Sequence, residues 1–255
     1  MFTLAVSNYK GGVGKTTTAV NLGTIYANQG NRVLLIDLDP QASATDYFGL
    51  YDQAQEEHRT SIELLYGNAA IKDIAYQTSV PNLSIIPSII ELVDQNEMVL
   101  REQRLKFALD DAQDNYDIVI IDCSPVMKRL AFMAYLATSS NGMLIIPVKL
   151  DASVMRGTAL TVDAADMISD ELRIPALNYR ILRTCVPGRQ TRSEIIGAEI
   201  LDNFFPNNQF QTVIHSSTKV CEGSFAWQPV VTYEPNSRPA KDYLQLAKEI
   251  ENVFA

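Results

Sequence analysis

The chain is predicted to be an α/β protein, a doubly wound, mostly parallel sheet flanked by helices. Three observations lead there. Apolar, β-branched runs recur along the chain and are near-continuous rather than alternating, as strands covered on both faces are. Helical patterns separate most of these runs. Short turns containing Gly, Pro and Asn join the two kinds of segment.

Taken in order, residues 2–6 read as the first strand and residues 16–29 as the helix after it, with Gly30 as its stop. Further strands are expected at 32–37, 83–87, 117–122, 143–148, 179–184 and 211–214. Further helices are expected at 99–113, 126–138, 154–169 and 192–205. A last helix, about 239–254, carries an apolar stripe of Tyr243, Ala247, Ile250 and Phe254, with Leu244 and Leu246 beside it. Its basic residues are Lys241 and Lys248, against Asp242, Glu249 and Glu251. A helix lying on a membrane surface carries a basic polar face, so this one is expected to pack as a closing helix. No repeat, low-complexity tract or linker interrupts the pattern, and residues 1–255 are expected to form one domain.

With 255 residues and 47% apolar content, the chain can bury one large core. No apolar run approaches the roughly 18–20 residues of a membrane span, and the first residues read as a strand rather than a basic leader, so a cytosolic protein is expected. Cys123, Cys185 and Cys221 lie far apart without C-x-x-C spacing, which speaks against a zinc site or disulfide framework. His58 and His215 are isolated, which speaks against a metal or triad role for either. The net charge is −9, and the whole excess lies before Arg180; from there on, eight basic residues balance eight acidic ones. Local field matters more than total charge, so composition permits a nucleic-acid partner without proposing one.

The chemistry is concentrated where the first strand meets the first helix, in Lys10-Gly11-Gly12-Val13-Gly14-Lys15-Thr16-Thr17-Thr18. Strand, glycine loop, helix is the context of a phosphate-binding loop. Gly14-Lys15-Thr16 fits the end of G-x-x-x-x-G-K-[ST], while the first glycine position falls on Tyr9 or Lys10. Gly11, Gly12 and Gly14 let backbone N–H groups turn inward around anionic oxygens. The helix that opens near Thr16 adds its positive end. Lys15 supplies a cation for the outer phosphates and the Thr16 hydroxyl a magnesium ligand. The candidate nucleotide-binding residues are therefore Lys10 to Thr17, with Val13 held for its backbone.

Asp122 ends the run Ile118-Val119-Ile120-Ile121, so a buried strand delivers its carboxylate to the C-terminal edge, where open α/β sheets bind ligands. A carboxylate there suits magnesium, held through a water. Asp37 and Asp39 end the second strand at the same edge. They are expected to face apart and to have different jobs.

The lysine at position 10 is more than a phosphate loop requires. With it, Lys10-Gly-Gly-Val-Gly-Lys15-Thr16 resembles the deviant Walker A motif of the ParA/MinD group of P-loop ATPases. The resemblance continues through Val33-Leu-Leu-Ile-Asp37-Leu-Asp39-Pro-Gln41, then Ile120-Ile-Asp122-Cys123, and returns at Val230-Val-Thr-Tyr-Glu-Pro-Asn-Ser-Arg238, so it covers almost the whole chain. Asp37-Leu-Asp39-Pro-Gln41 looks more like the ParA (Soj-like) branch than MinD.

The resemblance implies a P-loop NTPase that binds ATP and Mg2+ and dimerises around two ATP molecules, with Lys10 reaching the partner's nucleotide. Asp39 would position the attacking water, so Asp39, Lys10 and Lys15 are the catalytic candidates. Thr16, Asp122 and Asp37 are the candidates for the magnesium shell. It implies non-specific DNA binding through Arg183, Arg189, Arg192 and Lys219, and slow hydrolysis stimulated by a ParB-like or other cargo adaptor. A plasmid, chromosome region or other cargo would be positioned in this way. The expected location is cytoplasmic, nucleoid-associated when ATP-bound, without stable membrane association. The chain departs from the family at Ser216, where an arginine is usual. It departs again at Ser124-Pro125-Val126-Met127-Lys128-Arg129 and at Lys149-Leu150-Asp151, both near the expected dimer seam. The rival readings are a MinD-like membrane-positioning ATPase and a metabolic P-loop enzyme.

Overall fold

A computed structural model describes residues 1–92, 102–125, 128–151, 154–189 and 191–254. The strands are β1 (Phe2–Val6), β2 (Val33–Leu38), β3 (Tyr76–Gln77), β4 (Leu83–Ile86), β5 (Ile118–Cys123), β6 (Gly142–Lys149) and β7 (Tyr179–Thr184). They form one sheet in the order β3-β4-β2-β5-β1-β6-β7, parallel throughout except for the short antiparallel edge β3. β1 lies at the interior of the sheet between β5 and β6, so the glycine loop leaves from the middle of the molecule. The ladder pairs Val6 with Asp122 and Asp122 with Asp37, which brings the C-terminal ends of β1, β5 and β2 side by side.

Helices follow as α1 (Lys15–Asn28), the short α2 (Ser43–Asp46), α3 (Tyr51–Glu57), α4 (Ser61–Tyr66) and α5 (Ile71–Ile74), then α6 (Arg104–Asp111) and α7 (Lys128–Ala137). After them come α8 (Val154–Leu172), α9 (Arg192–Phe204), α10 (Thr218–Phe225), α11 (Val230–Tyr233) and α12 (Arg238–Phe254). Alternation within each strand sends neighbouring side chains to opposite faces. Val33 and Leu35 of β2 join a core with α1 and α12, while Leu34, Ile36 and Leu38 join another with α4, α6, α7 and α8. All six β2 residues are buried, and full burial of each of the five apolar side chains contributes about 1.5–3 kcal/mol. This two-sided burial is why the runs were continuous. α1 ends as expected at Gly30, whose φ of 94° admits the paired bonds Gly30 N–H to Ala27 O and Asn31 N–H to Tyr26 O.

The strand expected at 211–214 does not form. Its N–H groups at Gln211 and Thr212 donate to the Glu249 carboxylate of α12 at 2.7 and 2.9 Å. With these two donors taken by a side chain, no continuous ladder forms beside β7; the segment meets it at Ile214 N–H, which donates to Arg183 O at 2.9 Å, and near the isolated bridges Ile181–Gln209 and Val186–His215. Asp242 of α12 holds the end of the same segment, accepting from His215 N–H at 2.9 Å and contacting its ring Nδ1 at 2.8 Å. The acidic residues of α12 thus clasp a neighbouring segment, while Tyr243, Leu246, Ala247 and Ile250 are buried. Of the expected apolar stripe, Phe254 remains partly exposed, as does Leu244 beside it. Of the helix expected at 99–113, α6 spans only Arg104–Asp111, and residues 93–101 lie outside the described residues, as do 126 and 127. Among the described residues no helix is long and apolar enough to cross a membrane.

Candidate functional site

The loop between β1 and α1 leaves open space over its glycines. Gly12 and Gly14 have φ of 70° and 83°, a left-handed backbone that favours glycine. A Cβ built on Gly11 or Gly12 would meet nothing within 4 Å, so open space lies over the loop. Gly14 caps α1 without a side-chain hydrogen bond, and the first turn carries no acidic residue. The positive end of α1 is therefore uncompensated by the helix's own first turn. Two side chains, Asn8 within the loop and Thr184 far along the chain, fix the loop's shape. Asn8 accepts from Lys10 N–H at 2.9 Å and donates to Pro147 O of β6 at 2.8 Å. The Thr184 hydroxyl, at the end of β7, lies 2.8 Å from Val13 O and 3.1 Å from Val148 O.

Lys15 is 7% exposed and donates to Lys10 O at 2.9 Å, folded back on its own loop. Burial lowers its pKa, while Asp122 and Asp39 oppose that shift. Lys10 forms an ion pair with Asp151, just beyond β6, within the same chain. Of the other departures from the family, Lys149 is exposed at the end of β6 and Arg129 half-buried in α7; the Lys128 side chain lies outside the described residues.

The carboxylates cluster. Asp37 is fully buried, with Oδ1 accepting from Asp39 N–H at 3.0 Å and Oδ2 from Thr45 N–H and hydroxyl at 2.9 and 2.8 Å. Both of its oxygens are thus engaged by the chain. Asp39 accepts from Gln41 N–H through Oδ1 only. Asp122 is fully buried, yet neither of its oxygens makes a protein hydrogen bond; the Thr16 hydroxyl lowers its pKa without completing one of ordinary geometry. The expectation that Asp37 and Asp39 face apart fails, because positions i and i+2 of a strand share a face. Each instead adds its charge to the field at Asp122.

Two orphaned oxygens at the foot of an open glycine cradle fit a hydrated magnesium ion bound together with phosphate. Among the described residues no group of three or more His, Cys, Asp or Glu side chains is placed to hold an ion alone, so phosphate oxygens and water would complete its shell.

This crowding has a pH signature. Burial pushes Asp37 from 3.8 up to about 7, and burial with the charge of Asp37 raises Asp122 well above the usual carboxylate range. Between about pH 4 and 7 the folded chain then holds protons that the unfolded chain has lost, so stability is full below that window and falls as pH rises through it. The Asp37 difference corresponds to on the order of 4 kcal/mol. Without nucleotide and with a chelator present, the unfolding midpoint is expected to drop by roughly 5–10 °C from pH 5 to pH 8. Scanning calorimetry checks this, and a flat or rising midpoint would show the cluster to be neutralised already.

A cleft of about 340 Å³ beside the loop is lined in part by Gly14, Thr17, Tyr47, Thr184, Cys185 and Tyr243. It adjoins the phosphate cradle through Gly14 and Thr17, and no local motif marks Tyr47, Thr184 or Tyr243 as residues of a site. A larger cleft of about 560 Å³ lies between the α4–α5 connection and α6, with Arg104 and Tyr116 in its wall and none of the loop's residues.

The four basic candidates are not equivalent. Arg189 and Arg192 are exposed at the start of α9, where Thr191 and Glu194 form a reciprocal cap. Arg183 is half-buried in β7, with an unpaired Nε. Lys219, in α10, is paired with Glu222 at 2.6 Å.

Comparison with known proteins places these features in context. A family model described as an AAA domain matches residues 1–177. The sporulation initiation inhibitor protein Soj of Bacillus subtilis is 35% identical over 251 residues, covering 97% of each chain. The chromosome partitioning protein ParA of Caulobacter vibrioides is 31% identical over 255 residues, covering 97% of this chain and 92% of that one. Cobyrinic acid a,c-diamide synthase of Mycobacterium smegmatis, solved with a bound ATP analogue and magnesium, superposes with a TM-score of 0.82 at 25% identity, covering 99% and 95% of the two chains.

Proposed function

Because the chain belongs to the P-loop ATPase family of Soj and ParA, we propose that it is a positioning ATPase. In this reading it binds ATP with Mg2+, dimerises around two nucleotides, holds DNA without sequence preference and is released by hydrolysis. The observation that carries the reading is the convergence of Lys15, Asp39 and the unpaired Asp122 oxygens on the open glycine loop. Bound magnesium would neutralise charge on the phosphate oxygens.

The chain's own residues do the rest. N–H groups from Gly11 to Thr17 cradle the phosphates, and Lys15 exchanges Lys10 O for a phosphate oxygen. Thr16 and Asp122 hold the ion, while Asp37, its oxygens already engaged, shapes the field and anchors α2 through Thr45. Asp39 orients the attacking water. Lys10 exchanges Asp151 for the partner's nucleotide, and the cleft by Tyr47 and Thr184 has room for the base. Arg189 and Arg192, with Lys219 and Arg183, meet DNA phosphates. One domain over 1–255 suffices for all of this, with a ParB-like or other cargo adaptor stimulating turnover in the cytoplasm and on the nucleoid. The membrane alternative finds no support in α12, whose Asp242 and Glu249 clasp the 211–215 segment.

DNA retention tests the reading. If about two basic residues per subunit meet phosphates, a dimer neutralises about four, and log K should fall with log salt at a slope near −3.6. From about 50 to about 200 mM salt, affinity should drop by roughly two orders of magnitude, equally for random duplexes. Binding should need ATP and vanish in Lys10→Ala, which should still bind nucleotide as a monomer. Replacing Arg189 and Arg192 with alanine should flatten the slope and spare dimerisation. An ATP-loaded protein without DNA affinity at about 50 mM salt would remove DNA from the function.

A further inference from the structure

Two of the chain's three cysteines, Cys185 and Cys221, open on the cleft of about 340 Å³ beside the glycine loop. They come from different elements. Cys185 directly follows β7 and takes a φ of 53°, a left-handed backbone that residues other than glycine seldom adopt. Backbone bonds on either side hold it there: Ile214 N–H donates to Arg183 O at 2.9 Å, and Val186 N–H to Ile214 O at 3.0 Å. Its neighbour Thr184 grips Val13 of the loop at 2.8 Å, so this half-buried thiol stands one residue from a support of the phosphate cradle. Cys221 belongs to α10, where Ser217, Val220 and Ser224 also line the cleft. That spacing is one face of a helix, so Cys221 lies on the face turned to the cleft, and it is exposed.

Both are free thiols, as is Cys123 in β5, but Cys123 is only 1% exposed. Burial holds the Tyr47 and Tyr243 hydroxyls above their ordinary range; charge on Cys221 adds to the first shift and charge on Cys185 to the second, which sets each sulfur near a tyrosine of the cleft. A thiol that solvent reaches can exchange with a small disulfide, and a buried one cannot. In that exchange the cysteine thiolate attacks one sulfur of the disulfide. The reagent's S–S bond breaks as the new one forms, and the departing thiolate takes up the proton that the cysteine released. The protein sulfur is oxidised and the leaving sulfur reduced, so no further oxidant is needed. An adduct of tripeptide size in about 340 Å³ leaves no room for a nucleotide base. A base already in the cleft keeps the reagent out for the same reason.

We propose that Cys185 and Cys221 form a thiol-modification site for low-molecular-weight disulfides, open while the nucleotide is absent and closed by it. The proposal rests on the reading of this cleft as the seat of the base. Oxidised glutathione is the probe, followed by intact mass and peptide mapping. The nucleotide-free chain is expected to gain glutathione at Cys185 or Cys221 and none at Cys123. ATP with Mg2+ at about ten times its Kd should slow the gain about tenfold, since only about a tenth of the chains then stand open. The modified chain should lose at least about tenfold in ATP affinity, and dithiothreitol should restore it. Cys185→Ser with Cys221→Ser should gain no glutathione, and its ATP affinity, whatever the starting value, should be indifferent to the reagent. Calorimetry on the reduced wild-type chain separates the two readings. Absence of ATP binding there removes the ATPase reading and this proposal with it. ATP that binds yet does not slow the gain overturns the proposal alone. So does an absence of adducts, adducts confined to Cys123, or a modified chain with undiminished ATP affinity.

Discussion

Lys15→Ala is expected to weaken ATP binding by at least about a hundredfold, beyond detection in ordinary calorimetry. Lys15 is 7% exposed, so its ammonium acts where solvent screens little. Charge-assisted hydrogen bonds from such a group contribute about 1.5–3 kcal/mol each. Removing the cation also leaves the unpaired Asp122 carboxylate and Asp39 facing the incoming phosphates without the charge that offsets them. Backbone N–H groups of the loop remain, but they do not answer that repulsion. Wild-type affinity in the variant would mean that the glycine loop is not the phosphate site.

Asp39→Ala should have the opposite character, with ATP binding retained and hydrolysis reduced by about 10²–10⁴. Asp39 spends one oxygen on Gln41 N–H and keeps the other free, unlike Asp37, whose two oxygens are both bonded. The variant should therefore accumulate as an ATP-bound dimer on a sizing column. Asp37→Ala, by contrast, would strip Thr45 of its partner and loosen α2, a loss of stability before a loss of chemistry. Unchanged turnover in Asp39→Ala would move the water-positioning role to another residue.

Six of the seven expected strands were legible because burial on both faces writes the same apolar run into each. The seventh, at 211–214, has the same composition, and what cancels it is Glu249, 38 residues later, which no window along the chain can see. The helices α2 to α5 escaped notice because four to seven residues do not establish a period. Within the candidate site, Gly14-Lys15-Thr16 and Asp122 were readable because each announces itself locally. Thr184 reaches Val13 across 171 residues, and Asp151 reaches Lys10 across 141. Contacts of that separation are made by the sheet order, so only the fold could supply them.

The Lys10–Asp151 pair, partly exposed on both sides, bears on how long an assembled state would last. Were Lys10 bare at rest, capture of a partner's nucleotide would be a one-way gain. With Asp151 beside it, assembly replaces one acceptor by another, and a half-exposed ion pair is worth only about 0–1 kcal/mol. In the proposed dimer the lysine would therefore oppose assembly only weakly while the triphosphate is intact. Once the terminal phosphate leaves, the same carboxylate offers it a nearby place to return. In the proposed dimer such an arrangement would work as a timer, the lifetime of the pair of subunits being set by the nucleotide rather than by the strength of the seam.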